Sequence, residues 1–415
     1  MQASGQEDTA AVPQSAPPER PWVFGLLIAP MAVLANGVVG GALSYLLRRQ
    51  GVGPERSAAI IALLSLPQTI YFLWSPVTDF WMRRRTWLVV AAAAAGAAML
   101  AAFQTRSLAG HWAVALMFLG GCLGQLVVAS CGGMMGALRS EVSRRRASSF
   151  YQGGSLAFGA VAVLVLVLLS AKFRLGVLGW LVGAMIALPA LAALAAPEQP
   201  EVNLYGVGKT LAHIWQEFKS TFLRWEAIPY TLLVTFPMGS GAMIALLPGL
   251  AADYHISGEQ VAWINGLGGA LLMAGGALSA TLISTRVRAS VAYPLTGLVN
   301  AATLTVLWLG PLSPPVYFAG VILFLYTVGT AYAMFTAVVL EFLGGSGKSG
   351  SARYSIINSL GNIPVAYMEF IDGKSYGLWG ARAMPAADAA ISATGAILLL
   401  AYFLTRRQAG AQKPK

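Results

Sequence analysis

TWLVVAAAAAGAAMLAAFQ, running from Thr86 to Gln104, contains no charged residue. A helix of that length, rising about 1.5 Å per residue, matches the ~30 Å hydrocarbon core of a bilayer. No water reaches the backbone there, so a helix that satisfies its own amides and carbonyls is the expected structure. Comparable stretches fill the chain from Trp22 to Leu404, separated by short loops. They fall near 22–47, 55–78, 86–104, 112–137, 147–171 and 176–196, then 226–252, 260–284, 289–309, 316–343, 350–371 and 383–405. The pattern predicts an all-α polytopic membrane protein with 12 transmembrane helices. Six spans, a longer link and six more predict two six-helix bundles, 22–196 and 226–405. A disordered cytoplasmic tail is expected over 1–21, a cytoplasmic linker over 197–225 and a second tail over 406–415.

Composition agrees with hydrocarbon as the solvent. Hydrophobic residues make up 57% of the chain and charged residues 10%, against about 25% charged in soluble domains. The net charge of +11 is unevenly distributed, which argues against a nucleic-acid partner. With the N-terminus placed inside, 19 Lys and Arg fall on the cytoplasmic side, among them Arg83 to Arg85 and Arg144 to Arg146. Only 8 fall outside, among them Arg48, Arg49, Lys374 and Arg382. This asymmetry places both termini in the cytoplasm, with the inner bases against anionic lipid headgroups. The expected location is a bacterial inner membrane. Residues 1–21 lack the basic start and apolar centre of a signal peptide. Cys122 and Cys131 face opposite ways on one helix, so neither a disulfide nor a metal cluster is expected.

In the link, Leu211, Ile214, Trp215, Phe218 and Phe222 share one helical face. An amphipathic helix lying on the inner membrane surface and tethering the bundles is expected. Gly37 with Gly41, and Gly120 with Gly124, permit close helix approach. Pro30, Pro67, Pro189, Pro237 and Pro364 mark kinks within spans.

Trp74-Ser-Pro-Val-Thr-Asp79-Phe-Trp-Met-Arg83-Arg84-Arg85 closes the second span. An acid at a helix end can pair with bases and with a neighbouring helix N-terminus, forming a latch. The string resembles the major facilitator superfamily signature G-x-x-x-D-[RK]-x-G-R-[RK]. Asp79, Arg83 and Arg84 match its acid and two of its bases; Ser75, Phe80 and Met82 depart from it. With Phe72-Leu-Trp74-Ser-Pro76 and Trp87-Leu88, it further resembles the branch of AmpG-type muropeptide permeases and acetyl-coenzyme A transporters. Gly361-Asn362-Ile-Pro364, Tyr367-Met-Glu369 and Trp379-Gly-Ala-Arg382 look like permeases related to that branch. The superfamily resemblance covers nearly the whole chain. It implies the major facilitator fold, with a central cavity opening alternately to either side and lined by the first, fourth, seventh and tenth spans. On that basis Asn36, Gln125, Tyr326 and Tyr332 are expected to bind substrate. In the AmpG-type pattern, acids follow a Gln in the fourth span; here Leu126 follows Gln125, and Ser130 stands in the second place. That departure argues against proton coupling by this route and against a muropeptide substrate.

The eleventh span carries Ser351, Ser355, Asn358, Asn362, Glu369 and Asp372 on one helical stripe. Lipid cannot face it cheaply, since one charge at the bilayer centre costs about 2.5–3.5 kcal/mol. The stripe should meet a neighbour or a water-filled cavity, which adds Asn358 and Asn362 to the substrate-binding set. Glu369 and Asp372 lie one turn apart and repel when both are ionised. They are the candidate proton-coupling groups, with Glu369 leading; a structural ion pair with Lys374 or Arg382 is the alternative. Glu341 and Arg353 are candidates for an inner gate.

Gly344-Gly-Ser-Gly347-Lys348-Ser349 resembles a phosphate-binding loop. Its first position is Phe342 and a membrane helix precedes it, so nucleotide hydrolysis is not expected. His111, His213 and His255 fall in loops and do not cluster. No enzyme, metal or cofactor is implied. The expected function is secondary active transport of a small solute by a monomeric permease, a proton symporter working by alternating access. A non-transporting sensor or scaffold and an uncoupled facilitator are the alternatives. The scarcity of in-span cations favours a neutral or zwitterionic, sugar- or peptide-like solute over a multiply anionic one.

Overall fold

The computed structural model describes residues 20–79, 81–136, 138, 141–196, 208, 212, 215–216, 219, 222–223, 225–284, 287–343, 356–357 and 359–411. All regular structure among them is helical. Before the link come α1 (Val23–Arg49), α2 (Pro54–Leu73), α3 (Arg84–Phe103), α4 (His111–Met135), α5 (Glu141–Ser170) and α6 (Leu175–Ala195). After it come α7 (Ile228–Thr235), α8 (Ala242–Tyr254), α9 (Gly258–Ala280), α10 (Ala289–Leu309), α11 (Pro314–Leu343), α12 (Ile363–Trp379) and α13 (Ala383–Ala411). Ten of these, all but α7, α8 and α12, are long and apolar enough to cross a membrane. The chain is an integral, multi-pass membrane protein.

Local chemistry sets the boundaries. Pro54 opens α2 just after Gly53, where a missing amide costs nothing. Ser257 and Gln260 form a reciprocal capping box at the start of α9. Gly380, at φ +82°, ends α12. Two segments are wider than an α-helix: Ala32–Ala42 within α1 and Ala262–Gly268 within α9 are π-helical, a form that concentrates at functional sites. Gly37 and Gly41 let α1 lie against α5. A Cβ on them would come within 2.4 Å of Ala162 and 2.2 Å of Val163.

Two expected spans differ in form. The stretch predicted over 226–252 is interrupted: α7 stops at Thr235 and α8 begins at Ala242. Pro237 lies in the gap, and Gly239 and Gly241 take φ of +64° and +75°. The stretch predicted over 350–371 is represented by α12, which extends further toward the C-terminus; Ser351, Ser355 and Asn358 lie outside the described residues. Most of the expected link helix also lies outside them, but Trp215 is exposed and the Lys219 ammonium sits 5.1 Å above its ring.

The helices before the link pack on one another, and so do those after it; α2 meets α12, α5 meets α9 and α1 meets α8 across the divide. The apolar cores are asymmetric. One continuous core unites both halves around Leu46, Leu108, Leu250, Tyr254 and Leu307, here termed the far rim. At the opposite, terminal rim the halves keep separate cores, one around Val23, Leu27, Leu88 and Ala193, the other around Leu233, Tyr293, Val338 and Phe403. Among the described residues, the apolar cores of the two halves are thus continuous at one end and separate at the other. Exposed tryptophans ring both ends: Trp112, Trp180 and Trp379 toward the far rim, Trp22, Trp81 and Trp225 toward the terminal rim, as in interfacial aromatic belts.

Candidate functional site

Between the halves lies a cavity of about 350 Å³, within the range of small-molecule sites. It is lined by α1, α2, α4 and α5 from one half and by the α7–α8 break, α8, α9, α11 and α12 from the other. The polar lining includes amides (Asn36, Gln68, Gln125, Gln152, Asn265, Asn362), hydroxyls (Ser65, Ser155, Tyr332) and the carboxyl of Glu369. Among the described lining residues there is no Lys, Arg or His.

Local structure aims these groups. Asn36 protrudes from the π-helical part of α1 and donates to the Ser155 hydroxyl at 3.1 Å. Asn265 occupies the matching widened part of α9 and donates to the Tyr317 hydroxyl at 3.0 Å. Gln125 is buried at the cavity wall. The Tyr332 hydroxyl donates to the Ser240 carbonyl at 3.0 Å, inside the break between α7 and α8. Asn362 donates to the Gln68 carbonyl at 3.3 Å, and Ser359 to the Thr69 carbonyl at 2.7 Å. Those carbonyls end the regular part of α2, where no later amide is available. Glu369 is 2% exposed, lies within hydrogen-bonding reach of Ser65 and leaves its Oε2 without a partner.

Tyr326 and Asp372 do not line the cavity. The Tyr326 ring lies beside Gly275 of α9. Asp372 is fully buried and turned toward α13, where its carboxyl lies within hydrogen-bonding reach of Asp388. Asp388 in turn lies 2.9 Å from the Ser392 hydroxyl. Sequence reasoning passed over Asp388, although an isolated acid at membrane depth is itself a signal. Lys374 pairs with Glu55 of α2 rather than with Glu369, and Arg382 is exposed. The side chains of Asp79 and Glu341, together with Asn358 and Arg353, lie outside the described set. Arg83 precedes the first turn of α3, and the Arg84 guanidinium lies over Gly133 of α4. Among the described residues, no three His, Cys, Asp or Glu gather as a metal site, and Cys122 and Cys131 are free thiols.

A second set of groups, not anticipated as a unit, ties the far rim. Arg48 at the end of α1 pairs with Asp253 of α8 at 3.2 Å, and the Tyr376 hydroxyl of α12 reaches the same carboxylate at 3.1 Å. With Lys374 and Glu55, these contacts bridge the halves where their core is continuous.

No curated protein sequence matches the chain significantly. Its fold is similar to that of many solved transporters. A POT family transporter in complex with 5-aminolevulinic acid superposes with a TM-score of 0.73 at 10% identity, covering 92% of this chain and 95% of that one. A mutant of the nucleoside transporter NupG gives 0.71 at 13% identity, covering 92% and 99%. A D-xylose-proton symporter gives 0.69 at 12%, covering 91% and 95%. At such identities the likeness is one of fold. The sequence profile of the Major Facilitator Superfamily, however, matches residues 25–366, and the chain belongs to that superfamily of secondary transporters.

Proposed function

We propose that this protein carries a neutral or zwitterionic polar solute by alternating access, driven by protons that bind at Glu369. The observation that carries the reading is the cavity itself: both halves contribute amides and hydroxyls, with one carboxyl and no basic side chain among the described lining residues. Amides and hydroxyls suit a solute rich in hydroxyl or amide groups, whereas a multiply anionic solute would need bases to replace its water. The fold relatives include a nucleoside transporter, a POT family transporter in complex with 5-aminolevulinic acid and a D-xylose-proton symporter, and each of these named compounds is a small polar solute. One-sided contact between the halves supports the rocking motion, since a shared core at the far rim can open only as the terminal rim closes. Glu369 sits between solute space and protein interior with one oxygen unpartnered, the position of a group that gains a proton before the halves move.

A thermal-shift screen of purified protein against sugars, nucleosides and dipeptides identifies the solute for transport assays. In liposomes, a 100 mV potential supplies about 2.3 kcal/mol per proton, enough for roughly fifty-fold accumulation of a neutral solute. Glu369→Gln should retain counterflow of labelled solute yet lose accumulation. Wild-type equilibration without accumulation would identify an uncoupled facilitator. Absence of counterflow for every stabilising solute would favour a sensor or scaffold.

A further inference from the structure

Asp372 and Asp388 face each other from α12 and α13 with 0% and 2% exposure. Both oxygens of Asp372 lack a hydrogen-bond donor, and the carboxyl within reach is another acid, which donates nothing when ionised. Among the described residues, the groups around them supply no cation. Glu369 lies one turn away on α12, Tyr367 stands near Asp388, the Ser392 hydroxyl lies 2.9 Å from Asp388, and Tyr332 of α11 lies near Glu369. Toward the far rim, Arg48 is paired with Asp253, and Lys374 with Glu55. Two facing carboxylates buried without a counter-charge are untenable, whereas a carboxyl–carboxylate pair forms a short, strong hydrogen bond.

We propose that Asp372 and Asp388 hold one proton between them, in a proton-binding site enclosed by α12 and α13 and separate from the solute cavity. The site goes beyond the coupling assigned to Glu369, and its occupancy does not depend on that assignment. Its second anchor is the break between α7 and α8. Ser392 bridges Asp388 to the Pro237 carbonyl, at 2.9 and 2.7 Å, so the charge on the pair is linked to the segment that separates those two helices. Loss of the shared proton would leave two negative charges against this contact and push α12 and α13 apart.

Infrared difference spectroscopy of the full-length protein in lipid vesicles, at neutral pH in potassium salt, reads protonated carboxyls directly. A protonated-carboxyl band sensitive to H₂O/D₂O exchange is expected in the wild type. It should persist in Glu369→Gln, vanish in Asp372→Asn and move in Asp388→Asn. Asparagine keeps the volume and can donate to the remaining carboxylate, and if one variant fails to fold, the other and the wild type still decide. A wild type without such a band, or a band that the Asp substitutions leave unchanged, would overturn the proposal. So would a sodium-specific rise in unfolding temperature, at constant ionic strength, that Asp388→Asn removes; the occupant would then be a metal cation. Loss of coupling in Glu369→Gln, or its retention, bears on the transport reading and leaves this outcome untouched.

Discussion

Asn362 and Ser359 donate from their side chains to backbone carbonyls, and Asn362 also lines the cavity. Their acceptors, the carbonyls of Gln68 and Thr69, belong to the other half of the protein. Removing either donor leaves a buried acceptor unsatisfied, a cost of about 1–3 kcal/mol. Ser359→Ala should therefore lower the unfolding temperature in detergent by a few degrees, and Asn362→Ala by a similar amount. Their double variant should fall short of the sum, because both hold the same helix end. No change in either would mean that water already serves those carbonyls. Gly241 makes the opposite case, a residue whose lack of a side chain matters. At φ +75°, an added Cβ is strained and would meet the Tyr332 hydroxyl at 2.2 Å. Gly241→Ala should displace Tyr332 from the cavity wall and cut counterflow by an order of magnitude or more. Tyr332→Phe, which loses one hydrogen bond of about 1 kcal/mol, should reduce it only several-fold. Equal activity of both variants would show that the Tyr332 hydroxyl has no part in the site.

The element that departs most from a plain membrane helix is the interruption between α7 and α8. A proline and two positive-φ glycines open it, and the freed carbonyls are met from three other helices. Tyr367 of α12 donates to Thr235, Ser392 of α13 to Pro237, and Tyr332 of α11 to Ser240, at 3.0, 2.7 and 3.0 Å. In hydrocarbon each such carbonyl left bare costs several kcal/mol, so the break exists because these hydroxyls reach it. Ser392→Ala should destabilise the fold by about 1–3 kcal/mol, whereas Ser392→Thr, which keeps the hydroxyl, should cost less. Equal unfolding temperatures for the two variants would refute that role. The sequence marks Pro237 as a kink, but not a gap spanning residues 236–241, because the supporting hydroxyls lie 92 to 155 residues away in the chain. For the same reason the π-helical segments of α1 and α9 could not be foreseen; their glycines signal close packing without saying which backbone widens. The apolar spans were legible because hydrocarbon imposes length and composition on each one independently. Glu369 was legible as an acid on a polar stripe. The partition of that stripe, Glu369 to the cavity and Asp372 to α13, depends on Asp388 and on helix rotation that one-dimensional spacing does not contain.

The asymmetry of the apolar cores decides which rim is closed. The far rim holds the continuous core, the Arg48–Asp253 pair and the Lys374–Glu55 pair. Partly exposed ion pairs contribute only about 0–1 kcal/mol each, so the shared core, not the charges, must supply most of the closure. The pairs tune it: Arg48→Ala should shift the population toward a state open at the far rim by a few-fold, not abolish closure. Locking the rim makes a sharper test. An ideal Cβ at Gly249 of α8 lies 3.1 Å from the Ser44 Cβ of α1, near the ~3.5–4.5 Å spacing of a disulfide. With Cys122 and Cys131 replaced by Ala, a Ser44→Cys/Gly249→Cys variant should cross-link under mild oxidant. Counterflow should then fall to background and return on reduction, because solute could no longer pass the far rim. Ser44→Cys alone, given the same oxidant, should transport at the unoxidised rate. A fully cross-linked variant that still exchanges labelled solute would mean that the far rim need not open, and the two halves would not act as rocking bodies.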